Sequence, residues 1–276
     1  MHISAFEIFK VGIGPTSSHT VGPRRAARRF VLRLSDEGLL ERVASVRAEL
    51  FGSLGFTGKG HGSDVALILG LEGEEPQLVD PDVIPQRVGK VTEEGRLSLL
   101  GTRPVAFKPA ESIIFHRREK LPLHSNGMRF TALDAAGGTV LQRVYYSVGG
   151  GFVVNHEGAP EGMAAIVHAR PPPPYPFDTA AELLALCNQH GVSISTLMME
   201  NEKSLRSEAE VREGLLDIWR VMEACARRGC TREGLLPGAL KVKRRAAALH
   251  RKLKANPHGP SEPLLAIDWV NLWALA

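Results

Sequence analysis

Three histidines, His19, His61 and His124, each lie in a short segment rich in glycine, serine or asparagine. Each segment stands at the predicted end of a helix or strand. Histidine is the side chain whose ordinary pKa suits proton transfer near neutral pH, so these segments are the candidates for acid–base chemistry. The sequence has no Gly-x-Ser-x-Gly nucleophile motif and no acidic pair typical of a glycosidase.

The first segment, Gly12 to Thr20, leads directly into a predicted helix. Its glycines allow close approach of the backbone to a ligand, and the hydroxyls of Ser17, Ser18 and Thr20 can donate hydrogen bonds. A helix N-terminus also favours an anion such as a carboxylate. An ordinary helix start, in which these hydroxyls cap free amides, accounts for the same residues and is favoured on spacing alone.

The second segment runs from Gly52 to Ser63 and has five glycines between a predicted strand and a predicted helix. This composition predicts a glycine-rich turn, which in α/β proteins is a frequent place for a small anionic ligand. The segment has neither the Walker spacing nor the Gly-x-Gly-x-x-Gly register. Taken alone, His61 is more typical of a solvent-exposed turn.

The third segment, Leu121 to Met128, is a predicted turn before a strand. His124 and Asn126 flank a serine, and they are either a polar ligand pair or part of an Asx-type turn. A further glycine cluster lies between Tyr145 and Phe152. We interpret it as a bulge or tight corner at a strand end.

Periodicity predicts the elements that position these segments. Apolar residues at helical spacing indicate helices, and apolar–polar alternation indicates half-buried strands. Asp134 to Gly138 has the composition of a hairpin turn. The predicted helices are 23–34, 63–71, 179–190, 193–204, 208–228, 241–254 and one that starts in 266–276. The predicted strands are 45–50, 112–115, 128–133 and 139–147.

The length of 276 residues suggests about two domains. We expect an α+β protein with a small α/β domain at 1–155, a proline-rich linker at 156–177 and a helical domain at 178–276. The net charge of +4 is small for a nucleic-acid-binding protein. The basic runs 241–245 and 251–254 lack interleaved aromatic residues, so we interpret them as a solvated helix face.

Three cysteines, Cys187, Cys225 and Cys230, cannot form a disulfide framework, and their spacing fits no zinc pattern. We see neither a signal peptide nor an apolar stretch long enough to span a bilayer. A reducing cytoplasm is therefore the expected location, with no membrane and no nucleic-acid partner.

Several long motifs resemble the bacterial iron–sulfur L-serine dehydratases in their single-chain form. The resemblance runs along the whole chain. The motifs that carry it are Phe9–Pro23, Gly52–Leu54, Thr57–His61, Leu121–Met128, Tyr145–Phe152, Leu197–Glu202, Leu236–Leu240, Arg244–Leu249 and Ile267–Asn271.

The resemblance implies an L-serine ammonia-lyase (EC 4.3.1.17) that converts L-serine to pyruvate and ammonia, in serine catabolism and gluconeogenesis. It also implies a [4Fe–4S] cluster, in which an iron without a cysteine ligand acts as a Lewis acid. The first domain is then similar to the small α/β substrate-binding domains of some regulated dehydrogenases, and the helical domain is catalytic and holds the cluster.

By motif match, His61 is the candidate base that removes the Cα proton, and His19 and His124 complete the catalytic set. Asn126 and Lys59 are expected to bind substrate with them. The resemblance assigns the substrate carboxylate to the hydroxyls that precede the first long helix, those of Ser17, Ser18 and Thr20.

One departure from the family is large. A [4Fe–4S] cluster needs three or four thiolates brought together, and Cys187, Cys225 and Cys230 do not fall at the family's ligand positions. We expect the cluster cysteines beyond Ala276, which predicts a truncated reading frame that is inactive by itself. The alternative is a non-catalytic α/β module that binds serine and regulates. Either form allows a homodimer.

Overall fold

The computed structural model describes residues 3–14, 16–155, 172–236, 241–255 and 263–276. These residues cluster into two compact units, Met1–Gly191 and Val192–Ala276. The first unit contains a mixed β-sheet with helices, and the second is built from helices. The predicted α+β class is therefore confirmed. Most of the predicted linker lies outside the described residues, so the predicted domain boundaries stay a prediction.

The first unit alternates helices and strands along the chain. Its helices are α1 (Ala5–Ile8), α2 (Val21–Asp36), α3 (Gly52–His61), α4 (Ser63–Leu71), α5 (Ile84–Glu94), α6 (Pro109–Ser112) and α7 (Ala180–His190). Its strands are β1 (Ser45–Phe51), β2 (Arg96–Leu99), β3 (Arg103–Ala106), β4 (Ile113–His116), β5 (Asn126–Leu133), β6 (Thr139–Gly149) and β7 (Phe152–Asn155).

The sheet has the strand order β2-β3-β1-β5-β6-β7. Strands β3 and β4 share one edge of β1, because β3 pairs with Ser45 and β4 pairs with the residues from Ala48 to Phe51. Both of these pairings are parallel, whereas β5 runs antiparallel along the other edge of β1. The first unit is thus organised around β1, and α3 follows β1 without an intervening loop.

The main hydrophobic core lies between one face of this sheet and helices α2 and α4. On β1, Val46, Ala48 and Leu50 point into the core, which is the alternation that the sequence predicts. Phe30 of α2 stacks on Phe130 of β5, with ring centroids 5.4 Å apart. The predicted α2, α4, β1 and the hairpin between β5 and β6 are confirmed.

The predicted glycine-rich turn between Gly52 and Ser63 is wrong, because this segment is helix α3 followed directly by α4. Glycine disfavours a helix by about 1 kcal/mol relative to alanine, but packing overrides that preference here. A Cβ atom at Gly55 would lie 2.3 Å from the carbonyl oxygen of His116 and 2.8 Å from that of Leu50. Gly55 therefore lets α3 lie against the main chain of β1 and β4.

The second unit contains four described helices: α8 (Ile194–Lys203), α9 (Glu208–Gly229), α10 (Ala246–Lys254) and α11 (Pro263–Leu275). The hydroxyls of Ser193 and Ser207 cap α8 and α9. The predicted helix 241–254 begins only at Ala246. Residues 237–240 of the Leu236–Leu240 motif lie outside the described residues. Among the described residues, no helix has the length and apolar character needed to cross a bilayer.

Candidate active site

Helix α3 presents a polar face at intervals of four residues. Ser53, Thr57 and His61 follow this spacing, which puts their side chains on one face of the helix. Lys59 is exposed and lies about 200° around the helix from His61. The structure therefore does not place Lys59 beside this face, and its predicted substrate contact stays a prediction.

His19 and His61 lie next to each other. Their ring centroids are 4.8 Å apart, with the ring planes tilted by 41°. His19 belongs to the turn that precedes α2 and is only 9% exposed, whereas His61 is the last residue of α3 and is half-buried. The structure thus brings together two histidines that are 42 positions apart in the sequence.

Both nitrogens of the His19 ring have hydrogen-bond partners. Nε2 is 2.9 Å from the Thr57 hydroxyl and 3.3 Å from that of Ser53, and Nδ1 is 2.9 Å from the Ser18 hydroxyl. The main chain is held as well, because the buried Ser63 hydroxyl donates to the His19 carbonyl at 2.6 Å. His19 is therefore fixed in position and orientation.

The environment of His19 favours its neutral form. Burial lowers the pKa of His19 from its ordinary value, and the nearby His61 lowers it further, while the hydrogen-bonding interaction of the ring with the Ser53 main chain offsets part of the effect. Burial disfavours the charged imidazolium because the ring loses water on one side. Near neutral pH, His19 is thus a neutral hydrogen-bonding group.

His61 has a single hydrogen bond among the described residues. Its Nδ1 is 2.9 Å from the main-chain carbonyl oxygen of Thr57, one helical turn earlier. A carbonyl oxygen can only accept, so Nδ1 must carry the proton, and the neutral ring then has its lone pair on Nε2. His61 is therefore oriented with Nε2 available as a proton acceptor.

His124 and Asn126 form a local turn before β5. The Asn126 amide N–H donates to Nδ1 of His124 at 3.1 Å, which places the proton of a neutral His124 ring on Nε2. The Asn126 side chain donates to the Ser147 carbonyl at 3.1 Å. Asn126 is 8% exposed, and its Oδ1 is buried without a partner. Asn126 thus has an unused acceptor that a ligand could fill.

The loop that carries His124 also holds the start of α3. The N–H of Gly52 donates to the Glu119 carbonyl at 2.7 Å, and the N–H of Ser53 donates to the Ser125 carbonyl at 2.8 Å. These amides have no partner inside the helix, so the loop supplies the acceptors that a helix N-terminus lacks. The segment with His124 and the helix with His61 are therefore joined through their main chains.

The three hydroxyls before α2 have different surroundings. The Ser18 hydroxyl bonds with His19, and the Thr20 hydroxyl donates to the Thr16 carbonyl at 2.6 Å instead of capping the helix. The N–H of Gly22 donates to the Ser17 carbonyl, and Pro23 has no N–H. The first turn of α2 thus offers few free amides, and the predicted carboxylate contact of Ser17, Ser18 and Thr20 stays a prediction.

A network of charged side chains surrounds Glu49 of β1. Arg129 binds Glu49 with two hydrogen bonds of 2.8 and 2.6 Å, and Nε2 of His116 lies 3.0 Å from the same carboxylate. Nδ1 of His116 lies 3.1 Å from Glu119, the residue whose carbonyl caps α3. These hydrogen bonds, that from Arg129 above all, hold the pKa of Glu49 below its ordinary value, although burial raises it.

We expect Glu49→Gln to lower the free energy of unfolding by about 2 kcal/mol at pH 7, because charged hydrogen bonds become neutral ones at a 7% exposed position. The pKa of Glu49 is lower in the folded than in the unfolded state. Its contribution to the free energy of unfolding is therefore fully present above the ordinary pKa of 4.5 and is lost as the pH falls below that value. Urea titrations at several pH values measure this difference.

Glu119→Gln is the matched control, because Glu119 contacts the same histidine but its side chain is 68% exposed. We expect a change below about 0.5 kcal/mol for this variant. A Glu49→Gln protein with unchanged stability at pH 7, or a loss that does not shrink in acid, would contradict the account of the network.

The described residues do not fit an iron–sulfur cluster. Among them, no three histidine, cysteine or acidic side chains gather where they could hold a metal ion. Cys187 and Cys230 are buried and Cys225 is exposed, and all three are free thiols. The described part of the chain therefore has no group of side chains that could hold the cluster.

Three site residues were not singled out from the sequence: Ser53, Thr57 and Ser63. The contacts of Ser53 and Thr57 arise because α3 is a helix, whereas their segment is predicted as a turn; Ser63 is the first residue of α4. The spacing of four between Ser53, Thr57 and His61 is the signal that could have found them.

Comparisons with known proteins indicate the same family for both parts of the chain. The family model of the serine dehydratase beta chain matches residues 4–158, and that of the serine dehydratase alpha chain matches residues 189–276. The chain is 53% identical to the L-serine dehydratase of Streptomyces coelicolor over 276 residues. That alignment covers 100% of this chain and 60% of the relative.

Two Escherichia coli relatives give a similar result. The chain is 49% identical to L-serine dehydratase TdcG and 46% identical to L-serine dehydratase 1, and each alignment covers 99% of this chain. Each also covers 59% of the relative. The chain thus spans about three fifths of the length of the curated relatives that it matches.

Proposed function

The chain belongs to the serine dehydratase family, and from this premise we propose that it supplies the proton-abstracting site of an L-serine ammonia-lyase. The observation that carries the proposal is the free lone pair on Nε2 of His61. The ring is oriented by the hydrogen bond from its Nδ1 to the Thr57 carbonyl oxygen. In this proposal, L-serine loses its Cα proton and its β-hydroxyl and yields pyruvate and ammonia.

His61 is the proposed general base. Its Nε2 takes the Cα proton, and the resulting imidazolium lies in the last turn of α3, where the helix dipole favours a positive charge. The hydrogen bond from Nδ1–H to the Thr57 carbonyl persists in the charged ring, because Nδ1 stays protonated. The ring can therefore accept a proton without turning.

The elimination then proceeds with a simple electron balance. The electron pair left on Cα forms the Cα–Cβ double bond, the Cβ–O bond breaks, and the hydroxide that leaves takes up a proton from solvent and becomes water. The His61 imidazolium releases its proton to solvent before the next turnover. The aminoacrylate product tautomerises to an imine, which water hydrolyses to pyruvate and ammonia. The last two events, tautomerisation and hydrolysis, need little assistance from the protein.

We propose that the other predicted residues bind and orient the substrate. The unpartnered Oδ1 of Asn126 can accept from the ammonium or hydroxyl of the substrate, and Nε2–H of His124 can donate to it. Ser17, Ser18 and Thr20 remain the proposed contacts of its carboxylate, and Lys59 remains a proposed substrate residue. His19, with both nitrogens engaged, has a positioning role.

The resemblance further supports an iron–sulfur enzyme, and we propose that the complete lyase contains such a cluster. When bound, the cluster supplies a Lewis acid for the hydroxyl that leaves. The proton chemistry proposed above concerns the histidines of this chain. A cytoplasmic location, a homodimer and a place in serine catabolism and gluconeogenesis are part of the same proposal.

Anaerobic complementation tests the function. The chain is incubated with iron, sulfide and a separately expressed polypeptide that corresponds to the remaining two fifths or so of the Streptomyces coelicolor relative. We expect this mixture to form pyruvate from L-serine and not from D-serine, because a fixed base reaches one face of Cα. Lactate dehydrogenase and NADH report the pyruvate.

The outcomes separate the two hypotheses. If neither pyruvate nor calorimetric binding of L-serine is detected while the intact relative is active under the same conditions, the proposed function is wrong. If L-serine binds to the chain but no mixture forms pyruvate, the non-catalytic binding module is supported instead.

A further inference from the structure

Thr57 contacts both histidines of the pair through different atoms. Its hydroxyl oxygen lies 2.9 Å from Nε2 of His19, and its carbonyl oxygen lies 2.9 Å from Nδ1 of His61. No other described residue is bonded to both rings. A single residue in the middle of α3 therefore forms hydrogen bonds with both rings, one through its side chain and one through its main chain.

The hydroxyl contact fixes the direction of a hydrogen bond. The Thr57 hydroxyl has one proton, and it donates this proton to the Ser53 carbonyl at 2.9 Å. Its oxygen can then only accept from His19, so Nε2 of His19 must carry a proton. In the neutral ring, Nδ1 of His19 is left with the lone pair, which accepts from the Ser18 hydroxyl.

The carbonyl contact fixes the other ring in the opposite way. Nδ1 of His61 carries the proton, because the Thr57 carbonyl can only accept. Of the four ring nitrogens, two are donors to Thr57 and one accepts from Ser18. The lone pair on Nε2 of His61 is the one that stays free within the described part of the chain.

We infer that Thr57 is a positioning residue that sets opposite tautomers in the two rings, Nε2–H in His19 and Nδ1–H in His61. The hydroxyl sets the first tautomer and the carbonyl sets the second. As a result, the pair presents a single proton acceptor whose identity does not fluctuate. What this acceptor does rests on the proposed function, but the tautomers themselves do not.

Histidine ring nitrogens can be observed directly. In the chain labelled with ¹⁵N-histidine, long-range ¹H–¹⁵N correlations distinguish protonated from unprotonated ring nitrogens, and His19→Gln and His61→Gln variants assign the signals. At pH 7.5 we expect the Nε2–H form for His19 and the Nδ1–H form for His61. The reverse tautomer in either ring overturns the inference.

Thr57→Val removes the hydroxyl and keeps the carbonyl and the shape. We expect the tautomer ratio of His19 to shift about five- to tenfold toward Nδ1–H, the equivalent of one neutral hydrogen bond, while the His61 signals keep the Nδ1–H pattern. Thr57→Ser retains the hydroxyl and should restore the pattern of the unmodified chain.

Thr92→Val is the matched control. The Thr92 hydroxyl makes the same contact with the carbonyl four residues earlier, at 2.8 Å, on the exposed face of α5 and away from any described histidine contact. It should leave both rings unchanged. If Thr57→Val folds and leaves the His19 ratio unchanged, or if it changes His61 as much as His19, the inference is wrong.

If Thr57→Val fails to fold, Thr57→Ser decides the question, because a serine hydroxyl must preserve both tautomers. Loss of the His19 pattern in a folded Thr57→Ser protein overturns the inference. Absence of pyruvate formation from every preparation would count against the proposed function and leave the tautomer measurement standing.

Discussion

Replacing His61 with glutamine is expected to lower kcat for pyruvate formation about 100- to 10,000-fold, the usual contribution of a general base. Glutamine keeps a polar side chain of similar reach but cannot accept the Cα proton. The KM for L-serine should change far less, because the lost interaction exists mainly in the transition state. The measurement is initial-rate kinetics in the complemented anaerobic preparation.

His190→Gln is the control for this experiment, because it changes an exposed histidine in the last turn of α7. It should retain the activity of the unmodified chain. His61→Ala adds a second test, since free imidazole can enter the vacated space and restore part of the rate. Turnover within a factor of about three of the unmodified chain in His61→Gln would exclude His61 as the base.

Gly55→Ala should destabilise the first unit, because it adds a methyl group where the main chain of two strands lies close. The added Cβ would lie 2.3 Å from the His116 carbonyl oxygen and 2.8 Å from that of Leu50, so neither neighbour can turn away. Overpacking of this kind costs about 3 kcal/mol, whereas the better helix propensity of alanine returns about 1 kcal/mol. We expect the free energy of unfolding to fall by about 2 kcal/mol and α3 to be displaced from β4.

Gly60→Ala is the matched control. It makes the same glycine-to-alanine substitution in the same helix but creates no steric clash, because a Cβ at Gly60 meets nothing within 4 Å. This variant should gain about 0.5–1 kcal/mol from propensity alone. The two substitutions therefore have opposite expected signs in a urea titration. Equal effects would show that the glycines of α3 do not act through close approach to the strands.

The parts of the fold that the sequence predicts correctly are those with a local signal. Helix α2 has apolar residues at helical spacing, and the hairpin of β5 and β6 has Asp134 to Gly138 at its turn. The glycine cluster at Gly149 to Gly151 is a corner, as interpreted, since all three residues have positive φ. Each of these conclusions depends on neighbours within one or two turns.

Helix α3 could not be predicted in this way. Its glycines are unfavourable for a helix, and what stabilises it is the approach of Gly55 to strands that lie elsewhere in the sequence. The site depends on the same helix, because the contacts of Thr57 with His19 and His61 exist only at helical spacing. The histidines could therefore be chosen from the sequence, whereas the spacing of four that relates Thr57 to His61 becomes informative only once α3 is known to be a helix.

The docking of α3 on the loop before β5 has a consequence for how this site tolerates sequence drift. The acceptors are the carbonyls of Glu119 and Ser125, which every amino acid possesses. Substitutions at these two positions leave the junction intact, whereas inserting or deleting one residue between them would shift both carbonyls. The junction therefore constrains the number of residues between Glu119 and Ser125, whereas the side chains at these two positions are not needed for it.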